Sequence, residues 1–350
     1  MNTSLSFDDV LILPQFSDIE SRKDVNTESI VCGTKLSTPI ISSNMACITN
    51  SRMAMAMTEV GAIGCLHRFW DIETNVKEFL LHQNAWVSVG LGAKELERTI
   101  ALKDSGAEDF VLDVAHGATV SVAKQAKAIR ELIGKNKKLI VGNFATKETI
   151  KEFARQTANA ADAYKVGIGN GGACTTRVVT GVGLPLFTSI TDCVNSGYDI
   201  IADGGCRNSG DICKSIAAGA KAVMSGRLFI DTMESAAELV DEDGVKISTY
   251  REQGGYVPTD RYKQYSGSAS QESYEAQGKV AEHRTAEGES YLVKITGQSV
   301  VDVVQEINAG LRSSMSYVGA RNIDEYKKKS KFVQISSSSA AESAAHGRPT

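Results

Sequence analysis

The densest chemical signal in the sequence is the run Gly167-Ile168-Gly169-Asn170-Gly171-Gly172-Ala173-Cys174-Thr175-Thr176-Arg177. Glycine at 167, 169, 171 and 172 frees the backbone for tight or left-handed turns and lets a ligand approach closely. N–H groups presented by such a loop bind anions. Carbonyls pointing inward from the same loop can hold a cation. Cys174 follows the glycines, and a thiol at a loop tip becomes a nucleophile once its proton is removed. The competing reading is a buried structural cysteine, the commoner fate of the residue type; the position in a glycine-rich loop favours function. Cys206 and Cys213 carry a weaker version of the same signal. The run is not a Walker loop, which ends in Gly-Lys-Ser/Thr. Nor is it a convincing dinucleotide fingerprint, which requires a following helix and a distant acidic residue.

Two further glycine turns close apolar runs: Asp203-Gly204-Gly205 and Ser225-Gly226-Arg227. Backbone N–H groups at such ends hold a phosphate without side-chain charge, and Asp203 is placed to accept from a sugar hydroxyl. Simple tight turns are the plainer alternative. Asp113, His116 and Asn143, together with His67 and Arg68, fall at or just past the ends of earlier apolar runs. They belong either to the same site or to local hydrogen bonding that fixes the loops.

Eight short apolar runs carry these residues. They are centred on Ile40-Ile41, Ile63 to His67, Trp86 to Gly90, Phe110 to Asp113, Leu139 to Asn143, Tyr164 to Gly167, Ile200 to Asp203 and Ala222 to Gly226. Several are continuous rather than alternating, as in parallel strands covered on both faces. Helical spacing fills most gaps, as in Ser121 to Ile133, which Gly134 ends, and Gly210 to Ala220. Eight strands alternating with helices predict an α/β fold, a (β/α)8 barrel, whose functional residues gather at the C-terminal ends of the strands. One barrel domain spans 1–335. From 241 to 289, after the eighth strand, runs a polar stretch rich in Gly, Ser and Tyr, too long for an ordinary loop and expected to cover the active site. A helix follows through Val300, Val303, Val304, Ile307 and Leu311, and the Ser- and Ala-rich tail, 336–350, is expected to be disordered. The chain has 350 residues, 42% hydrophobic, with a net charge of -4, which gives no basis for a nucleic-acid or membrane partner. No signal peptide, no spanning apolar stretch and an odd number of cysteines, seven, fit a cytoplasmic protein.

At the Cys174 loop the sequence resembles the IMP dehydrogenase and GMP reductase family. The matching pieces include Phe7-Asp8-Asp9-Val10-Leu11, His67-Arg68-Phe69, Asp113-Val114-Ala115-His116-Gly117 and Gly142-Asn143. They continue through Gly167 to Thr180 with Gly181-Val182-Gly183, then Ala202 to Gly205, Gly267-Ser268-Ala269-Ser270, Glu287-Gly288 and Gly310 to Ser314. The resemblance runs from residue 7 to about 335, and the cysteine loop followed by Thr180-Gly181-Val182-Gly183 is highly specific. Dehydrogenases of the family usually carry an inserted CBS pair after strand two, and none is evident here. They also carry an Arg-Tyr pair that activates water after the Gly-Ser turn. Here Arg261-Tyr262 precedes Gly267-Ser268, and the stretch from Ser270 to Glu287 is short. The resemblance therefore implies the reductase branch, with an IMP dehydrogenase lacking the CBS pair and a non-catalytic purine-nucleotide-binding protein as alternatives.

That resemblance implies that Cys174 attacks C2 of the guanine of GMP, that Thr176 and Glu287 manage the proton that releases ammonia, and that NADPH supplies the reducing equivalent. It places Asp203, Gly205, Gly226 and Arg227, with Ser268, Arg284 and Gly288, at the substrate, and Asp113, Ala115 and Asn143 at the nicotinamide. It implies a homotetramer, and a monovalent cation such as K+ held by the backbone carbonyls of Gly167, Gly169 and Cys174. Departures from the family pattern are Asn170 and Gly172 in place of proline and serine, Arg227 where a second glycine is usual, Arg68 for lysine, and a longer stretch around 250–261. Losing the serine removes a phosphate contact, and Arg227 can replace it by bidentate pairing. A deoxy or modified guanine nucleotide stays open as the substrate.

Overall fold

The computed structural model describes residues 3–248, 260–272, 285–340 and 342. Eight parallel strands close into a barrel: β1 Ile40–Ser42, β2 Ile63–Leu66, β3 Trp86–Val89, β4 Asp109–Asp113, β5 Lys138–Phe144, β6 Ala163–Val166, β7 Asp199–Asp203 and β8 Ala222–Ser225. Each falls on one of the eight apolar runs. The ring shuts where β8 pairs with β1, Val223 opposite Ile40. Along β6 the pleat turns Ala163 into the barrel, where it packs with Ile41, Val111, Ile140 and Ile201, while Tyr164 and Val166 face the helices. Both faces are covered, which is why these strands read as continuous apolar runs. A hairpin, Ser29–Val31 with Thr34–Leu36, pushes Val31 and Leu36 into the N-terminal end of this interior and stops it.

The helices start where side chains satisfy free backbone N–H groups. Asn50, Asp71, Thr119, Thr146 and Asn208 cap α1 Ser51–Glu59, α2 Ile72–Leu81, α4 Val120–Ile133, α5 Lys147–Thr157 and α8 Ser209–Ala217. Between them lie α3 Ala93–Asp104, the short α6 Thr176–Thr180 and α7 Leu186–Cys193. Gly134 ends α4 at a positive φ of 75°. The long α9, Val300–Val318, opens on a capping box of Ser299 and Asp302 and buries Val300, Val303, Val304, Ile307 and Leu311, the stripe read from the sequence. It is followed by α10, Ile323–Lys329. At the chain's two ends, Val10–Ile12 pairs antiparallel with Phe332–Gln334.

Two segments differ from expectation. The polar stretch after β8 contributes the middle strand of a three-stranded antiparallel sheet: β10 Tyr262–Ser266 lies between β9 Leu239–Val240, just before the stretch, and β11 Ser290–Lys294, just after it. Its inward residues, Lys263 and Tyr265, are polar or half-polar, so the alternation carries no apolar signature. In the tail, Ser337–Ala340 forms one helical turn, and residues 343–350 lie outside the described part. Among the described residues no helix is long and apolar enough to cross a membrane.

Candidate active site

The glycine-rich run leaves the end of β6 and turns back over the barrel mouth. Gly167 has a φ of 145°, and a Cβ there would stand 2.2 Å from the Asp203 carbonyl oxygen, so the loop can cross β7 only with glycine. Gly169 is left-handed, with a φ of 79°, and a Cβ would meet Cγ of Arg177 at 2.7 Å. The Arg177 guanidinium donates to Asn170 Oδ1, which ties the loop back on itself.

The far side of the loop is held by the segment that leads into β11. The Ala173 carbonyl accepts from Glu289 N at 2.9 Å, Thr175 N donates to the Glu287 carbonyl at 2.9 Å, and Cys174 and Gly288 form an antiparallel bridge. This backbone pairing brings together three residues distant in sequence. Cys174 Sγ donates to Thr176 Oγ1 at 3.2 Å, and Thr176 Oγ1 donates to Glu287 Oε2 at 2.8 Å. All three side chains are partly accessible. Thiol, hydroxyl and carboxylate in that order form a path along which a proton moves between sulfur and carboxylate. The other thiols are disabled by their surroundings: burial pushes Cys47 up to about 11 and Cys65, Cys193, Cys206 and Cys213 up to about 12. Cys206 and Cys213 are buried in the core.

Beside the thiol, glycine turns from three elements converge. Gly204 and Gly205, with φ of 80° and 69°, lie against Gly171 and Asn170. Gly226 leaves no room for a side chain: a Cβ would approach Met45 Sδ to 2.8 Å and Tyr265 Oη to 3.1 Å. Arg227 is exposed, and its charge opposes the rise that burial gives the Tyr291 pKa. A Cβ on Gly172 would lie 3.5 Å from Tyr291 Oη and 3.9 Å from Arg227 Cβ. The glycine backbones, two tyrosine hydroxyls and one guanidinium thus face one space, a set suited to an oxyanion group.

Adjoining the loop, where Asp203 precedes Gly204, a polar cluster surrounds the buried Lys165. Lys165, 2% exposed, rises from β6 and places its ammonium 2.5 Å from Asp203 Oδ2, 2.6 Å from Asn143 Oδ1 and 2.8 Å from Asp113 Oδ1. Asn143 Nδ2 donates to Asp203 Oδ2 at 2.9 Å and to the Gly167 carbonyl at 2.7 Å. Burial by itself would raise the Asp113 pKa, but the Lys165 ammonium, with Arg68 and Asn44, outweighs it and holds the carboxyl below the usual range. Burial would likewise lower Lys165; Asp113 and Asp203 hold it above the ordinary lysine value. Ala115 and His116 are exposed on the loop after β4.

His67 is packed against its own loop at the edge of a cavity. It is buried, its Nδ1 accepts from Phe69 N at 3.1 Å, its ring lies 3.6 Å from that of Trp70, and burial pushes its pKa down to about 3. Arg68 lies over Gly90 and 5.2 Å from the Phe69 ring centre. Ser268 is exposed on the turn after β10, and Arg284 lies outside the described residues. A cavity of about 510 Å³ opens between His67, Phe69, Trp70 and the β10 residues Gln264 and Ser266; Ser268 borders it, Cys174 does not.

Sequence reasoning passed over Lys165, Tyr265 and Tyr291. Lys165 left a signal: it is a charged residue inside a run that is otherwise apolar, at an inward position of a barrel strand. The two tyrosines left none, because their approach to Gly226 and Gly172 depends on how the β9–β11 sheet docks.

Comparison with known proteins agrees with this construction. The family model described as "IMP dehydrogenase / GMP reductase domain" matches residues 4–346. A solved structure of inosine 5'-monophosphate dehydrogenase from Legionella pneumophila is similar with a TM-score of 0.81 and 37% identity, over 96% of this chain and 99% of that one. The inosine-5'-monophosphate dehydrogenase of Cryptosporidium parvum is 32% identical, covering 98% of this chain and 94% of its own length. The GMP reductase of Buchnera aphidicola subsp. Schizaphis graminum is 34% identical, covering 95% and 94%. A named dehydrogenase is thus matched over nearly its whole length, so the lack of an inserted module does not choose a branch. With fold, rim residues and family match in accord, the chain belongs to the IMP dehydrogenase/GMP reductase family.

Proposed function

We propose that the chain is a GMP reductase, an oxidoreductase that converts GMP to IMP and ammonia with NADPH. The observation that carries the reading is the Cys174–Thr176–Glu287 path. Cys174 bonds to C2 of the guanine ring, and the amino group leaves as ammonia after taking a proton relayed by Thr176 from Glu287. A bound nicotinamide supplies the hydride that replaces sulfur at C2. The C2–S bond then breaks, and Cys174 is returned.

In this reading Gly205, Gly226 and Arg227 hold the phosphate and Asp203 accepts from a ribose hydroxyl. Ser268, Arg284 and Gly288 contact the base, and Asp113, Ala115 and Asn143 face the nicotinamide. The partly exposed, ionised Asp113 suits a sugar hydroxyl of a dinucleotide. The carbonyls of Gly167, Gly169 and Cys174 are the ligands for a monovalent cation. The Gly167 carbonyl already accepts from Asn143 and has a second lone pair to offer. We further propose one catalytic domain over 1–335, assembly as a homotetramer and a cytoplasmic location.

The reductive direction is supported by Arg261 and Tyr262. They sit at the end of β10 remote from Cys174, with Tyr262 paired to Lys294, while the other end of the strand leads to Gly267 beside Ala173. No Arg-Tyr pair occurs between Ser270 and Glu287. The test is incubation with GMP and NADPH, following loss of absorbance at the reduced nicotinamide band and release of ammonia. Continuous reduction of NAD+ or NADP+ by IMP without ammonia would make the chain a dehydrogenase. Tight nucleotide binding with no turnover of any purine nucleotide would make it a binding protein.

A further inference from the structure

Two carboxylates of the site, Asp113 and Asp203, stand on separate strands, β4 and β7, yet share one counter-ion. The Lys165 ammonium has three protons and three oxygen acceptors, one each from Asp113, Asn143 and Asp203, all within 2.8 Å. Asn143 completes the ring by donating to the same Asp203 oxygen. The long side chain fits because its neighbour on β5 is Gly142: a Cβ there would stand 2.3 Å from Lys165 Cβ. At 2% exposure the ammonium has little water to fall back on, so a change at one carboxylate is felt at the other through the shared cation.

We propose that Lys165 is a positioning residue that couples the two halves of the site, so that a nucleotide seated at Asp203 favours a nicotinamide dinucleotide seated at Asp113, and the reverse. The inference rests on the reading of Asp203 as the substrate-side and Asp113 as the cofactor-side carboxylate. With both carboxylates tethered to one ammonium, the first ligand orders the cluster and the second meets it already ordered. Coupling of this kind is reciprocal and typically amounts to roughly 5–150-fold in affinity.

The test is calorimetric titration of the full chain with GMP and with NADP+, each alone and each in the presence of the other; this pair cannot complete turnover, because neither member carries a transferable hydride, and excess ammonium holds back the displacement of the amino group by Cys174. The wild-type chain should bind each ligand at least about fivefold tighter when the other is present. Lys165→Met should bring that factor to within about twofold of unity. Since Lys165→Met leaves two half-buried carboxylates without their shared counter-ion and can fail to fold, Asp113→Asn is the second arm. It preserves shape, and Asp113 lies on the cofactor side, so a purely local role predicts unchanged GMP binding. The shared cation predicts GMP binding alone to weaken by about fivefold or more, because Lys165 is then drawn wholly onto Asp203. Unchanged GMP affinity in Asp113→Asn, or equal coupling in Lys165→Met and wild type, overturns the role of Lys165. Failure of the wild-type chain to bind GMP overturns the functional reading beneath it.

Discussion

Replacing Glu287 by glutamine is the sharpest perturbation of the proposed chemistry. The carboxylate stands 2.8 Å from Thr176 Oγ1, and the hydroxyl 3.2 Å from Cys174 Sγ. The amide has almost the same shape, and the backbone bonds that seat the segment, from Thr175 N to the Glu287 carbonyl and from Glu287 N to the Ala269 carbonyl, do not involve the side chain. Positioning should therefore survive while proton delivery is lost. General acid–base assistance is worth roughly 10²–10⁴-fold, so ammonia release from GMP should fall by that factor, with the KM for GMP little changed. The hydride step, which needs no proton from Glu287, can be read separately. IMP and NADP+ should give a single burst of NADPH in wild type, retained in Glu287→Gln and absent in Cys174→Ala. Ammonia release in Glu287→Gln within threefold of wild type would refute the relay. Steady turnover by Cys174→Ala would refute the thiol as nucleophile.

Other outcomes follow from single contacts. Gly167→Ala drives a Cβ to 2.2 Å from a backbone oxygen at a φ that disfavours any side chain, and should cost at least about 2 kcal/mol in denaturant unfolding. His67 has a folded pKa near 3, below its unfolded value, so below about pH 6.5 the unfolded chain binds a proton that the folded chain does not. Stability should accordingly fall with pH between about 6.5 and 3, by up to ~1.4 kcal/mol per pH unit from this group. His67→Gln should flatten that slope in unfolding curves taken from pH 4 to 7, and an unchanged slope would show that His67 is not the group. Arg227→Ala should raise the KM for GMP by roughly tenfold and weaken its salt dependence, leaving the affinity for guanosine, which has no phosphate, as it was. Light scattering should give a mass near four chains; a mass near one chain would contradict the proposed tetramer.

The barrel was legible because burial on both faces makes each strand a compact apolar run, and because glycine or aspartate ends most of them. Cys174 was legible for the same reason: few loops place four glycines before a thiol. Its partner Glu287 came from the family resemblance, since 111 positions separate it from Thr176 and the two meet through the backbone pairing of residues 173–175 with 287–289. Lys165 was hidden in plain view, because a lysine in a strand commonly marks solvent, whereas here three oxygen atoms enclose it. His67 was left open between the site and loop fixation, because a histidine at the end of a strand suits either; its Nδ1 accepts from Phe69 N and its ring packs on Trp70, which is loop fixation.

The antiparallel pairing of Val10–Ile12 with Phe332–Gln334 has a consequence for how the chain is assembled. The Lys214 ammonium also donates to the Phe7 carbonyl, and Thr188 N to that of Leu5, so the first residues are stitched to α7 and α8 as well as to the final strand. On the ribosome the opening segment must wait for nearly the whole polypeptide before its last partner emerges, a closure of very long range that slows folding. Once formed, the clasp holds both ends of the domain side by side. A circular permutant that joins them through a short linker, with new ends cut between the exposed Lys135 and Asn136, should keep the barrel and should fold faster than the natural order of elements.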